Sequence, residues 1–326
     1  MICLTEKSLS DEVKEKISLF CNIKKEAVIE AKDVESIYEI PLVFKQQGLD
    51  KILLKHFRIT CNIFDLKEWK KKVVNRSLNP KNKVKIAFVG KYIGLQDAYK
   101  SVYEALIHGG IANDSKVEIK RVDSEEIEKS GAQEFLKDVS GVLVPGGFGH
   151  RGVEGKIAAI KYARENNIPY LGLCLGMQCA IIEFSRNACA LKNANSTEFN
   201  KKTPYPVISL LEEQKNIKDM GGTMRLGACA CKVKKGTKAR TLYKKGMIYE
   251  RHRHRYEFNN KYKKLLEKKG MVFSGMYPKN SLVEMVELKN HVFFIAVQFH
   301  PEFKSKPDKA HPLFEGFIRA ALKIKR

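Results

Sequence analysis

Long uncharged apolar runs are missing from this 326-residue chain. Nothing approaches the roughly 18 consecutive apolar residues of a membrane-crossing helix, so no membrane partner is expected. A secretory leader is missing too, because Met1-Ile2-Cys3-Leu4 runs at once into charged residues, and the cytoplasm is the expected compartment. Eight cysteines, at positions 3, 21, 61, 174, 179, 189, 229 and 231, include no Cys-x-x-Cys pair and no regular spacing. Neither a disulfide framework nor a metal site is indicated, and reduced thiols are expected. There is no Gly-x-x-x-x-Gly-Lys-Ser/Thr phosphate loop, no internal repeat and no low-complexity tract. Acidic residues are in deficit, 37 against 60 Lys and Arg, which leaves a net charge of +23. The excess lysines are scattered, as in Lys70-Lys71-Lys72, Lys234-Lys235 and Lys263-Lys264, without interleaved aromatics. They read as solvated surface, and nucleic acid is not expected as a partner.

What remains is a chain of ordinary globular composition, 44% hydrophobic and 30% charged, long enough for two domains. In the first 55 residues Ser10-Asp11 can cap a helix whose apolar face carries Val13, Ile17 and Phe20. Ala27-Val28-Ile29 is strand-like, and a helix over Pro41 to Gln47 is stopped by Gly48. Residues 56–82 hold an amphipathic stretch around Leu66, Trp69, Val73 and Val74 and then the polar run from Asn75 to Asn82, read as a linker. From Val84 buried strands and helices alternate: strand Val84–Val89, helix Ala98–His108 ended by Gly109-Gly110, strand Val117–Val122, strand Gly141–Pro145, helix Val153–Glu165, strand Tyr170–Leu173. Such alternation predicts an α/β fold, a mainly parallel central sheet flanked by helices, with its site at the carboxyl ends of the strands. After Leu210 the strands look antiparallel, with Val283–Val286 and Val292–Val297 as a hairpin.

Chemistry concentrates at two places. Cys174 stands in Leu171-Gly172-Leu173-Cys174-Leu175-Gly176-Met177-Gln178, at a turn from a buried strand into a helix, and Gly172 and Gly176 relieve crowding there as in a nucleophile elbow. A helix N-terminus beneath the sulfur favours the thiolate. His300-Pro301-Glu302 follows a second apolar strand; His300 can take and return the thiol proton, and Glu302 can hold the imidazole tautomer. This pattern predicts cysteine-dependent acyl transfer. Pro145-Gly146-Gly147-Phe148-Gly149 is either a turn or an oxyanion site, in which the N–H groups of Gly147 and Leu175 converge. In Arg251-His252-Arg253-His254-Arg255-Tyr256-Glu257, strand alternation puts the arginines on one face and the histidines on the other. Any of those arginines could pair with a substrate carboxylate, or the segment could be a solvated edge strand.

With these residues assembled, the chain resembles the class I (triad) glutamine amidotransferases, and specifically the carboxyl-terminal part of the CTP synthase family. Val89-Gly90-Lys91-Tyr92, Arg151-Gly152-Val153-Glu154-Gly155, Asn195-Ser196-Thr197-Glu198-Phe199, the Gly221–Gly227 loop and Gln298-Phe299-His300-Pro301-Glu302-Phe303 carry the likeness, together with the motifs above. Upstream, Lys16 to Cys21 and Asp33 to Pro41 are similar to the last segment of that family's synthetase domain. The resemblance implies a synthetase remnant over 1–55, a linker over 56–82 and a glutaminase domain over 83–326. It implies a triad of Cys174, His300 and Glu302, and glutamine held by Gly147, Leu175, Gly176, Met177, Gln178, Glu198 and Arg255. It also implies a sensor for the activator GTP at Phe148, Thr223 and Arg225, and a remnant of the UTP/CTP and ATP contacts at Lys16, Lys32, Asp33 and Val34. The glutaminase step needs no cofactor; ATP and Mg2+ belong to the complete enzyme, which aminates UTP to CTP. Most of the family's synthetase domain has no counterpart here, so the isolated chain is expected to act as a glutaminase, as part of a longer polypeptide, or with a separately supplied synthetase half or a homo-oligomer. A non-catalytic assembly module and a free-standing amide hydrolase are the rival readings.

Overall fold

A computed structural model describes residues 1–62, 65–91, 93–210 and 224–324. Two compact units divide the chain, Met1–Asn82 and Lys83–Arg326.

In the first unit β1 (Ile2–Thr5) and β2 (Ile29–Lys32) pair in parallel around the intervening α1 (Asp11–Cys21). Ser10 caps α1 as expected, its hydroxyl accepting from the Val13 N–H at 3.3 Å. The apolar stripe of α1 is open to solvent, with Phe20 85% exposed. Gly48, at φ 74°, ends α2 (Ile40–Gln46) but immediately starts α3 (Leu49–Phe57), a helix that the sequence did not announce. A left-handed glycine redirects the backbone as readily as it terminates it. Within the segment expected as a linker, α4 (Lys67–Trp69) passes through a π turn over Lys70–Val74 into α5 (Asn75–Leu78). Val73 and Val74 are buried there, and the Trp69 indole donates to the Tyr38 carbonyl at 2.7 Å.

The second unit begins with β3 (Asn82–Gly90), α6 (Lys100–Ala112), β4 (Ser115–Asp123), α7 (Ser124–Ser130), α8 (Ala132–Leu136) and β5 (Gly141–Val144). It continues with α9 (Val153–Glu165), β6 (Tyr170–Leu173), α10 (Leu175–Asn187), β7 (Asn195–Ser196), β8 (Pro206–Ser209), β9 (Arg225–Val233), α11 (Lys238–Tyr243) and β10 (Met247–His254). The last elements are β11 (Glu257–Phe258), α12 (Lys263–Lys268), β12 (Met271–Met276), β13 (Val283–Leu288), β14 (Phe294–Val297) and α13 (Pro312–Ala321). Among the described residues a nine-stranded sheet runs β10-β9-β12-β13-β14-β6-β5-β3-β4, and a small one runs β11-β8-β7. Its centre is parallel, through β14, β6, β5 and β3. The wing from β14 outward is antiparallel, and β13 and β14 form the expected hairpin, with Met285 opposite Val297.

β5, β6 and β14 are buried along their whole lengths, which their continuous apolar sequences require of strands covered on both faces. Alternation along β3 splits the core in two. Ala87 and Val89 pack with residues of α9 and α10, while Ile86 and Phe88 pack with residues of α6 and α13. One expectation fails here. Gly109 and Gly110 do not end α6, which runs on to Ala112. A Cβ on Gly109 would lie 2.9 Å from the Phe314 carbonyl oxygen, and one on Gly110 2.6 Å from that of Ser115. These glycines are there so that α13 and β4 can approach the helix. No helix among the described residues is long and apolar enough to cross a membrane.

Candidate active site

Because β5, β6 and β14 are adjacent and parallel, their carboxyl ends open on one edge. Pro145-Gly146-Gly147 leaves β5 there, Cys174 leaves β6 and His300 follows β14. Cys174 turns from strand to helix at φ 50°, ψ −100°, a left-handed backbone rare for a side chain with a Cβ. Its N–H donates to the Val297 carbonyl at 2.7 Å, and its carbonyl accepts from the N–H groups of Met177 and Gln178 at 3.0 and 3.2 Å. The sulfur is thereby fixed over the first turn of α10, where free N–H dipoles favour a thiolate. Both flanking glycines are sterically compelled. A Cβ on Gly176 would stand 2.2 Å from the Val144 carbonyl oxygen, and one on Gly172 2.6 Å from the Tyr170 hydroxyl. That hydroxyl donates to the Gly176 carbonyl at 2.9 Å and braces the elbow from beneath.

His300 is held by its own N–H, which donates to the Arg251 carbonyl at 2.8 Å. Its Nδ1 lies 2.8 Å from a carboxylate oxygen of Glu302, so Nδ1 carries the proton and Nε2 is turned to the partner on the other side. Burial alone would push the imidazole down, but hydrogen bonds to Cys174 and Glu302 and the negative charge on both raise it to about 10. The raised value favours the imidazolium form of His300. Gly146 lies against this pair: a Cβ there would meet His300 Cε1 at 2.9 Å and Cys174 Cβ at 3.5 Å.

One cavity is lined by five residues expected at the catalytic and glutamine sites, Gly147, Cys174, Gln178, Glu198 and Arg255, by Phe148, which was expected at the GTP sensor, and by Met224, His254 and Tyr256. Glu198 is placed by the Gly149 N–H, which donates to its carboxylate at 2.9 Å. β10 alternates as expected, with Arg251 and Arg253 exposed and His252 and His254 buried, and it is indeed an edge strand. It stops at His254, so Arg255 escapes the alternation and reaches the cavity. Leu175, Gly176 and Met177 form the buried first turn of α10, and Met177 belongs to the core.

Residues 94–320 match the family model of glutamine amidotransferase class-I, and residues 1–59 that of the CTP synthase N-terminus. A solved glutaminase domain of Trypanosoma brucei CTPS, with bound acivicin, is similar at a TM-score of 0.70 and 44% identity, over 74% of this chain and 95% of that one. The chain belongs to the CTP synthase family of class-I glutamine amidotransferases. The CTP synthase of Caldanaerobacter subterraneus subsp. tengcongensis is 55% identical over 325 residues, which are 100% of this chain and 60% of that protein. That of Aquifex aeolicus is 55% identical over 326 residues, 100% of this chain and 61% of its own length. The chain thus spans about 60% of the length of these curated relatives.

The remaining residues expected at sites of this amidotransferase lie elsewhere. Thr223 is outside the described residues. Arg225 points into the interior, with its guanidinium 2.7 Å from Glu284, 3.5 Å from Glu257 and stacked 4.5 Å over the Tyr277 ring. In the first unit Lys16 is exposed on α1, while Lys32 and Asp33, at the carboxyl end of β2, are exposed and Val34 is half-buried. Behind the cavity His252 and His254 hydrogen-bond each other at 2.9 Å. Burial and then Arg225 push them down to about 2 and about 3, so both are neutral. Burial raises Glu257 to about 8 and Glu284 to about 7 against the pull of Arg225. One guanidinium serves two buried carboxylates, 2.7 Å from Glu284 and 3.5 Å from Glu257.

Gly146, Tyr256 and Gln298 were not singled out from the sequence, although each sits in a motif that was. For Gln298 a signal existed, since it immediately follows the apolar strand that leads to His300 and precedes His300 by two positions.

Proposed function

We propose that this chain hydrolyses L-glutamine through Cys174, His300 and Glu302. The Cys174 thiolate attacks the carboxamide carbon while the imidazolium of His300 holds the thiol proton, and the tetrahedral oxyanion is received by the N–H groups of Gly147 and Leu175. Removing one donor of this kind typically costs about 3 kcal/mol of transition-state stabilisation. His300 then protonates the departing ammonia, and water resolves the glutamyl thioester to glutamate. Glu198 pairs with the substrate's amine and Arg255 with its carboxylate, a charge pattern suited to a free amino acid and unsuited to a peptide. The observation that carries this reading is that Cys174, which lines the cavity, hydrogen-bonds His300, whose Nδ1 in turn lies 2.8 Å from Glu302.

In the same reading residues 1–55 belong to a synthetase portion, 56–82 connect, and 83–326 are the glutaminase domain of a cytoplasmic enzyme that feeds ammonia to the ATP-dependent amination of UTP to CTP. Supplied with the synthetase portion, the enzyme would use UTP and ATP, form CTP and respond to GTP. Among the described residues no group of three acidic, histidine or cysteine side chains is placed to hold a metal ion, so no step with Mg2+ is assigned to them. The exposed Phe148 is available to a nucleotide, whereas Arg225 would first have to leave Glu284. Leu4, Leu19 and Phe20, exposed at 88%, 78% and 85%, give the first unit an apolar surface suited to cover by further protein. Ammonia release from glutamine tests the core of the reading. Cys174→Ala should lose it by at least about 10⁴-fold while keeping the wild-type thermal unfolding transition; undiminished release would remove Cys174 from the mechanism.

A further inference from the structure

Gln298 is fully buried, and its backbone is tied down on two sides. Its own N–H donates to the Glu284 carbonyl at 2.9 Å, and the carbonyl just before it, that of Val297, accepts from the Cys174 N–H at 2.7 Å. Its side chain reaches back to the nucleophile, with Nε2 3.6 Å from Cys174 Sγ. Which end of the amide faces the sulfur follows from its neighbours. Gln178 Nε2 lies 3.2 Å from the Tyr256 carbonyl, which can only accept, so the Gln178 amide must turn its NH2 that way. The second hydrogen of that NH2 meets Gln298 Oε1 at 3.3 Å. The carbonyl of Gln298 is thereby engaged, and its NH2 is left for the sulfur.

We propose that Gln298 is a catalytic residue, whose amide N–H, oriented through Gln178 from the Tyr256 carbonyl, stabilises the Cys174 thiolate. Two separate partners then serve the sulfur: His300 exchanges a proton with it, and Gln298 solvates the charge of a thiol that is only 3% exposed. The donation counts twice in a turnover. It favours the ionised sulfur before attack, and it favours the same ion as leaving group when water adds to the thioester carbonyl and the C–S bond breaks with its electron pair on sulfur. Gln178 also lines the cavity, so a molecule seated there bears on the amide that aims Gln298; this last link rests on the glutaminase reading, whereas the donation to sulfur does not.

The test measures alkylation of Cys174 by iodoacetamide against pH, followed on the Cys174 peptide by mass spectrometry because Cys21 and Cys61 are exposed. Gln298→Met keeps length and apolar volume and deletes the donor. Its reactivity midpoint should rise by about one pH unit, which is a roughly tenfold loss of alkylation rate below both midpoints. Gln298→Asn, one methylene too short to reach, should shift the same way, and it serves if the methionine variant fails to fold. In glutamine hydrolysis both should lower kcat by about tenfold with KM changed less than twofold. A midpoint within 0.2 units of wild type, in a variant with native thermal unfolding, overturns the proposal. If wild-type protein shows the alkylation profile but releases no ammonia from glutamine, the glutaminase reading fails and the assignment of Gln298 stands.

Discussion

Alanine at Gly146 should disable the site by pushing a single ring. The added methyl carbon would be 2.9 Å from His300 Cε1, 3.7 Å from His300 Nδ1 and 3.5 Å from Cys174 Cβ. Carbon atoms rest about 3.5–4.0 Å apart, so the imidazole must retreat by roughly 0.6 Å or more while Cys174 need not move. Nδ1 is pinned to Glu302 at 2.8 Å, so the ring gives way by tilting, which swings Nε2 off the sulfur. Gly146 is not among the positive-φ positions, so alanine meets no backbone penalty, and the crowding should cost about 1–3 kcal/mol of stability. A displacement approaching 1 Å at reacting groups costs about 10²-fold, so kcat for ammonia release should fall about 10- to 100-fold, with KM nearly unchanged. Gly94→Ala is the control. Its methyl would meet nothing within 4 Å and its φ is not positive, so kcat should stay at the wild-type value. A Gly146→Ala enzyme that turns over within twofold of wild type would refute the reasoning.

Gly176→Ala places its methyl 2.2 Å from a backbone oxygen of β5 that has no freedom to yield, so it should destabilise the fold by more than about 3 kcal/mol, read as a lowered urea midpoint or loss of soluble protein; a wild-type midpoint would show that the elbow is looser than drawn. The neutral His252 implies a pH signature. A histidine depressed from 6.5 to about 2 in the fold contributes stability that is whole above 6.5 and is lost as pH falls, because only the unfolded chain then takes the proton. Relative to His252→Asn, wild type should lose about 1.4 kcal/mol per pH unit below 6.5, measured by urea unfolding across pH. Glu257 and Glu284 work the other way between 8 and 4.5, since there the fold binds protons that the unfolded chain does not. Glu257 cancels in the difference, but Glu284 stands 3.3 Å from His252 Nε2 and responds to its loss, so both proteins are compared in a Glu284→Gln background; there a difference that stays flat from pH 6.5 to 4.5 would mean that the buried histidine is charged.

Strands of the parallel centre were legible because each is an apolar run too short to be a helix, bounded by glycine or proline, and Val153–Glu165 and Tyr170–Leu173 fell where their patterns ended. Cys174 and His300 were legible because each follows such a strand, and parallel neighbours must open on the same edge. What escaped depends on who stands next to whom across the fold. Gly109 and Gly110 look like a stop signal until α13 and β4 are seen to need their missing side chains. Gly48 looks like an end until a second helix starts from it. Phe20 looks like core by periodicity, and its exposure could be known only from what is packed beside it. Gln298 looks like one more polar residue at a strand end, and its bond to sulfur depends on Gln178, far away in the chain. Periodicity reports which face of an element is apolar; it does not report which polar atom will find a partner.

Folding and reactivity ask opposite things of position 174. A backbone at φ 50°, ψ −100° suits glycine, and every heavier side chain raises the energy of the native state there. The protein therefore carries a local debt in stability at the very atom it uses, secured by the bracing of Tyr170 and the bare α-carbons on either side. Selecting this chain for heat resistance alone would tend to erase its nucleophile.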